Sequence, residues 1–198
     1  MNLIEIPKLV INLPSRQDRM AHFIDEFEYI NQGGDAFKII PGVIADSPKL
    51  GIAQAHMNCI KLAKENNWDN VMILEDDVRF QAKNKTIEYV QNALHNLPEK
   101  WDILLGGAYE VHNPEPYNQH WNKIGEFCGL QCYIVNKSFY NQFLTYKPGH
   151  HIDRWLNRSG NNNVYFSDKF FAIQIDGRSD NTGKDENYQY KLKRFKLL

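Results

Sequence analysis

The chain has 198 residues, 42% of them hydrophobic and 24% charged, the make-up of a folded chain rather than a disordered one, and it fits one domain over residues 1–198. A formal net charge of -1 excludes a global field that would draw in nucleic acid or an anionic membrane, so no nucleic-acid partner is expected and any phosphate site must be local. Cys59, Cys128 and Cys132 are odd in number, unevenly spaced and without a second pair, which reads as small core residues of a reducing compartment rather than a disulfide framework or a zinc site.

The opening MNLIEIPKLVINL places Glu5 and Pro7 where an export signal needs a basic region and then an apolar run. No stretch approaches the ~18 apolar residues of a membrane span, so a cytoplasmic protein without a transmembrane segment is expected. KLVINLP, residues 8–14, is apolar and β-branched and stops at Pro14, which predicts a central strand. SRQDRMAHFIDEF then predicts a helix of about 13 residues, with Ser15 at the N-cap and Met20, Phe23, Ile24 and Phe27 as its apolar stripe. AFKIIPGVI is a second short strand, followed by the loop ADSPKL. GIAQAHMNCIKLAKENN predicts a helix from Gly51 or Ile52, with Ile52, Ala55, Cys59, Ile60 and Ala63 on one face and Asn66-Asn67 as the stop. Trp68 to Leu74 returns to the sheet, NKTIEYVQNALHNL is a helix and WDILLGG a strand. This alternation is an α/β layout with a mostly parallel central sheet flanked by helices.

Beyond Tyr109 the rhythm changes. VHNPEPYNQHWNKIGEF is polar, aromatic and proline-containing, too long for a tight crossover. It reads as a functional loop or as a packed excursion, with Tyr117 and Trp121 either stacking on a sugar or anchoring the segment. CGLQCYIV predicts a strand, NKSFYNQFLTY a short helix, HHIDRWLNRSG a further helix start, and VYFSDKFFAIQ a strand or hairpin. GRSDNTGKDENY has the composition of a mobile surface loop, and KLKRFKLL that of a solvated terminal helix or tail.

The chemistry concentrates in MILEDDVRF, residues 72–80. Ligands of open α/β sheets collect outside the carboxyl ends of the strands, where Glu75, Asp76 and Asp77 fall. On an extended backbone Glu75 and Asp77 share a face and Asp76 points away. Two readings fit: a Mg²⁺ or Mn²⁺ site completed by water and phosphate, or a strand end whose acids face solvent. Arg16 and Arg19, three apart on one helix face beyond the first strand, are partners for phosphate or a base, or solvated charges. A metal beside basic donors suggests a diphosphate and hence a nucleotide, without separating a kinase, a nuclease and a sugar transferase. The absence of GxxxxGK[ST], GxGxxG and GxSxG argues against a P-loop enzyme, a dinucleotide oxidoreductase and a serine hydrolase. Gly106-Gly107 marks a close backbone approach or a turn.

VINLPSRQDRM, GIAQAHMNCIKLAKENNWDNVMILEDDVRF, GLQCYIVNKSFYNQFL, HIDRWL and IDGRSDN, in that order, resemble the blocks of glycosyltransferase family 25. That family includes lipooligosaccharide galactosyltransferases and collagen hydroxylysine galactosyltransferases. The specific part is LEDD preceded by a helix carrying Gly51 and His56 in GxxxxH spacing. The resemblance implies a GT-A type nucleotide-diphospho-sugar transferase fold, a UDP-sugar donor (usually UDP-galactose), and a divalent cation, usually Mn²⁺, with Mg²⁺ as the substitute. It implies inverting transfer to a hydroxyl of a glycan or a hydroxylysine-containing protein, the acceptor being the route to any peripheral membrane contact.

On the same resemblance, Glu75, Asp77 and Asp176 are metal candidates, Asp77 foremost, and Asp76 lies nearer the ribose or sugar. Asn12, Arg16 and Arg19 line the nucleotide pocket. His56 binds substrate or is a buried orienter. Asp153 is the general base or a helix cap, with Asp176 and Asp180 as the alternative bases. Ser179 and Asp180 touch diphosphate or acceptor, and Lys184 neutralises phosphate as the 177–187 loop closes. The chain departs from the family in having Ala55 where members often carry serine, and in its short length. Two other classes compete: a nucleotide-sugar or carbohydrate-binding module without turnover, and a metal-dependent nuclease or phosphatase, for which a second set of metal ligands is wanting. No sequence pattern speaks to oligomeric state.

Overall fold

The computed structural model describes residues 1–31, 33, 36–158 and 162–194. In chain order the elements are β1 Lys8–Asn12, α1 Gln17–Phe27, β2 Phe37–Pro41, α2 Pro48–Glu65, β3 Asn70–Glu75, β4 Val78–Phe80, α3 Thr86–His95 and β5 Ile103–Leu105. Then come β6 Glu110–His112, β7 Glu115–Pro116, β8 Trp121–Lys123, β9 Glu126–Cys128, β10 Cys132–Asn136, α4 Tyr140–Phe143 and α5 Ile152–Arg158. β11 Val164–Ser167, β12 Ala172–Gln174, β13 Gly177–Arg178, β14 Asp185–Glu186 and α6 Tyr188–Arg194 complete the chain.

The central sheet has eight strands in the order β2-β1-β3-β10-β5-β11-β8-β7. β1 is parallel to β2 and β3, and β5 to β11. β10 and β8 are antiparallel to both their neighbours, so the remaining strands share one direction, as the α/β reading expects. β1 and β3 read as near-continuous apolar runs because both faces of the sheet are covered. Leu9, Ile73 and Tyr133 pack with Ala53, Cys59 and Ala63 of α2 on one face. Val10, Met72 and Leu74 pack with Phe23 and Phe27 of α1 and with Val90 and Leu94 of α3 on the other. Adjacent residues thus enter opposite cores, as the period of a strand dictates.

Local expectations were overridden at several points. α1 starts at Gln17 with Arg16 in the N-cap position and no side-chain capping bond, so Ser15 is not the cap. Ile24 is 49% exposed. Glu26 takes the buried face instead, where its Oε2 accepts the Phe80 amide at 2.7 Å and satisfies a backbone group of β4. α2 begins at Pro48, three residues before Gly51, with proline in the first turn, where its missing N–H costs nothing.

The 110–127 excursion is not a loop. It folds into two antiparallel pairs, β6 with β9 and β7 with β8. Trp121 is buried and donates its indole N–H to the Ala93 carbonyl at 2.9 Å, so it anchors the segment. β11 and β12 do not form a hairpin, since β12 pairs instead with β4 in a separate two-stranded sheet. GRSDNTGKDENY contributes the β13–β14 hairpin. Gly107 permits the close approach of the 171–172 segment, for a Cβ there would overlap the Ala172 carbonyl oxygen. All three cysteines are free and buried, and burial pushes their thiols well above the usual range, as inert core residues require. Of the basic end, α6 reaches Arg194 and residues 195–198 lie outside the described residues. Among the described residues no helix is long and apolar enough to cross a membrane.

Candidate functional site

The site forms where β1 and β3 end side by side. Ile11 is in register with Glu75, which brings Asn12 level with the acids that follow. Asn12 Nδ2 donates to Asp76 Oδ2 at 2.7 Å and to the Arg16 carbonyl at 3.1 Å, tying the entry of α1 to the end of β3. β3 stops at Glu75, and Asp76 and Asp77 make the turn into β4. Strand alternation therefore ends one residue too early for Asp76 to point away, contrary to expectation. Asp76 and Asp77 instead converge on Arg19, whose Nη1 lies 3.2 Å from Asp76 Oδ1 and 3.0 Å from Asp77 Oδ2. Both acids are buried, at 6% and 3% exposure, which disposes of the solvent-facing reading for them.

Gln174 Nε2 of β12 donates to Asp77 Oδ2 at 2.8 Å, leaving Asp77 Oδ1 buried with no hydrogen-bond partner. Burial, reinforced by the neighbouring Glu75 charge and opposed by Arg19, pushes the Asp77 carboxyl up to about 7. Burial also raises Asp76, against the pull of Arg19 and Asn12. Two buried carboxylates sharing one guanidinium leave the cluster short of positive charge and one acceptor short of a donor.

The predicted arginines are engaged within the chain. Arg16 forks onto Asp18, Nε to Oδ1 at 2.9 Å and Nη2 to Oδ2 at 2.8 Å, and reaches Asp180 Oδ2 through Nη1 at 2.5 Å. The Arg16 guanidinium holds the Asp18 carboxyl down to about 2. Arg19 Nη2 donates to the Arg178 carbonyl at 2.7 Å. Both arginines thereby bind the β13–β14 hairpin to the end of β1.

His56 is 1% exposed on α2. Its Nδ1 is 2.7 Å from the Tyr133 hydroxyl and its Nε2 3.3 Å from Glu75 Oε1, the geometry of an orienter. Gly51, five residues earlier, lets α2 lie against the 42–45 segment, because a Cβ would overlap the Val43 carbonyl oxygen. The GxxxxH spacing thus packs a loop at one end and holds an acid at the other. Asp153 accepts the Gly129 amide on Oδ2 at 3.1 Å and the Arg154 amide on Oδ1 at 2.7 Å. Ser179 is buried, its amide donating to the Lys184 carbonyl at 2.9 Å. Asp176 stands apart from the acid cluster. It is exposed, accepts the Gln189 amide at 3.1 Å near the start of α6, and lines neither cavity described below, nor does Lys184.

Two adjoining cavities open here. The larger, about 270 Å³, has an apolar wall that includes Ile11, Leu13, Val43 and Ile52, and a charged wall of Arg19 with the three acids. The smaller, about 100 Å³, is lined by Asp153, Tyr109, Tyr188, Lys49 and His151. Ile52, His56, Glu75, Gln174, Ser179 and Asn181 line both. Gln174, Asn181, Tyr109 and Tyr188 were not foreseen. Gln174 comes from a strand 97 residues beyond its partner Asp77, and no local pattern announces such a contact. Among the described residues no three His, Cys, Asp or Glu side chains are arranged to hold a metal ion, so a cation here would take Asp77 Oδ1 and complete its shell from ligand and water oxygens.

The mixed sheet covered by helices on both faces has the GT-A type fold, as its likeness to solved structures shows. The structure of A197 from STIV is similar to this chain, at 14% identity over 93% of this chain and 93% of that one, with a TM-score of 0.54. So is a mutant Drosophila beta-1,4-galactosyltransferase 7 in complex with manganese, UDP-Gal and xylobiose, at 14% identity over 92% of this chain and 77% of that one, with a TM-score of 0.53. No family model and no curated protein sequence matches the chain.

Proposed function

We propose that the protein is a metal-assisted glycosyltransferase of family 25 type, transferring galactose with inversion from UDP-galactose to a hydroxyl of a glycan or protein acceptor. The observation that carries this reading is Asp77, which lines a cavity with one apolar and one charged wall and whose buried Oδ1 has no hydrogen-bond partner. The apolar wall suits a nucleobase, the charged wall a diphosphate, and the adjoining smaller cavity, with Tyr109 and Tyr188 in its wall, part of an acceptor. In this reading Asp77 holds Mn²⁺, or Mg²⁺ in its place, which when bound supplies Lewis-acid stabilisation of the charge on departing UDP. Of the three residues expected to line the nucleotide pocket only Arg19 does so, and it exchanges part of its carboxylate pairing for phosphate oxygens, while Asn12 keeps Asp76 in place and Arg16 holds Asp180 of the larger cavity. Manganese and UDP-Gal in the similar Drosophila structure lend support from the same fold.

The test is UDP release from a panel of UDP-sugars with Mn²⁺, against EDTA and Asp77→Ala controls. Metal-dependent release from UDP-galactose, reduced at least ~100-fold in Asp77→Ala, is the expected result. Donor binding without turnover in the presence of acceptors would make the protein a binding module, and release of inorganic phosphate or nicking of DNA would make it a hydrolase.

A further inference from the structure

A hydroxyl that attacks a sugar bound in one cavity from a position in the next must lose its proton where the two cavities meet. Glu75 is the carboxylate at that junction, since it lines both cavities while Asp76 and Asp77 line only the larger and Asp153 only the smaller. Its side chain is 24% exposed, against 8% and 4% for Asp76 and Asp77, so it meets solvent and ligand more freely than they do. Arg19 spends Nη1 on Asp76 and Asp77. Glu75 is held instead by the imidazole of His56, which is held in turn by the Tyr133 hydroxyl, and both of these side chains are buried in the core. A Tyr133 hydroxyl donating to Nδ1 would leave Nε2, 3.3 Å from Glu75 Oε1, as the protonated nitrogen facing the acid, in contact with it but not in a formed hydrogen bond. Among the described residues neither carboxylate oxygen of Glu75 accepts a hydrogen bond, and the His56 contact is made by Oε1. Asp153 has the opposite disposition, for each of its oxygens already accepts a backbone amide. It fixes Gly129 against the start of α5 and shapes the wall of the smaller cavity.

We propose that Glu75 is the catalytic residue that takes the acceptor's proton, that His56 and Tyr133 are its positioning residues, and that Asp153 shapes the acceptor pocket. This rests on the sugar-transfer reading above. In the step, the acceptor oxygen forms a bond to the anomeric carbon, and the bond from that carbon to the β-phosphate oxygen breaks, its electron pair leaving with UDP. The hydroxyl proton passes to Glu75 Oε2.

Water and azide serve as the acceptor probes, because water must lose a proton on attack and azide has none to lose. With UDP-galactose and Mn²⁺, Glu75→Gln is expected to slow water-dependent UDP release by about 10²–10⁴-fold. Azide-dependent release, yielding galactosyl azide, should stay within about threefold, and Mn²⁺ affinity read by electron paramagnetic resonance should not change. Tyr133→Phe should lower the water rate by about tenfold with the donor KM unchanged, a split that loosened packing would not produce. The proposal is overturned if Glu75→Gln keeps its water rate, if it loses the azide rate together with Mn²⁺ affinity (the behaviour of a metal ligand), or if Asp153→Asn shows the larger, azide-rescued loss. A wild-type protein that neither binds nor consumes UDP-galactose overturns the sugar-transfer reading itself, whereas an active wild type with an unimpaired Glu75→Gln variant overturns this assignment alone.

Discussion

The two halves of the cleft are held together by different forces. Around the larger cavity, Arg19 joins Asp76, Asp77 and the Arg178 carbonyl, while Asn12 and Gln174 supply amide donors to the same acids. Around the smaller cavity the walls are aromatic and backbone-capped. Tyr109 and Tyr188 lie 5.3 Å apart, Lys191 Nζ sits 5.1 and 4.7 Å from their rings, and Asp153 caps amides. Buried charge is costly to assemble and is tolerated where a ligand completes it, whereas aromatic faces are stable in themselves and offer a flat surface to a sugar. The first half carries buried charge that its own partners leave incompletely compensated, and the second does not.

Breaking the charged half should produce the largest effect. Arg19→Ala leaves two buried carboxylates without their guanidinium and is expected to cost about 3–5 kcal/mol in urea unfolding. Arg16→Ala, whose partners Asp18 and Asp180 are 66% and 41% exposed, should cost less than about 1 kcal/mol in the same assay. Equal losses would show that the acids do not depend on Arg19. Gly51→Ala forces the 42–45 segment off α2 and should lower stability by about 1–3 kcal/mol, with UDP-galactose affinity falling alongside because the apolar wall moves.

A subtler change sharpens the contrast by reversing its sign. The Asp77 carboxyl titrates near 7 rather than its usual 3.8, so folding favours its protonated form. The stability this contributes is present in full below pH ~4 and is lost as the pH rises through ~7. Metal-free Asp77→Asn should therefore melt higher than wild type at pH 8, by about 2–4 °C for each kcal/mol recovered, with a smaller gain at pH ~5 and little difference below pH ~4. A variant that melts lower than wild type at pH 8 would mean that the carboxylate is not a burden to the apoprotein. The smallest effect belongs to the aromatic half, where Lys191→Ala should cost about 0.5–1 kcal/mol, much the same at low and high salt if the ring contacts matter more than the 2.8 Å pair with Glu186.

The parts of the fold that were legible in the chain are those written with a local period. The β1 and β3 runs follow from burial of nearly every residue in a sheet covered on both faces, and the faces of α1 and α2 from burial of every third and fourth. The exceptions share a cause. Ile24 was assigned to the core by spacing, yet the position facing β4 needed an acceptor and Glu26 filled it. The 110–127 segment looked like a loop because strands of two or three residues are too short to show a period. Asp76 was assigned to the wrong face because the strand ended at Glu75, and nothing in LEDDV marks where pleating gives way to a turn.

An apolar run leading into Glu75, Asp76 and Asp77, and another leading towards Arg16 and Arg19, were legible in the sequence by itself because runs of apolar residues mark buried strands locally. The points where the elements end and the adjacency of β1 and β3 were not. Which acid meets which partner was decided only by the tertiary structure. Arg19 closes on Asp76 and Asp77, Gln174 arrives from a strand of another sheet, and Tyr133 of β10 fixes the histidine that holds Glu75. Those pairings depend on strand order and register, which are properties of the whole sheet, and they separate the buried pair Asp76 and Asp77 from Glu75, which lines both cavities.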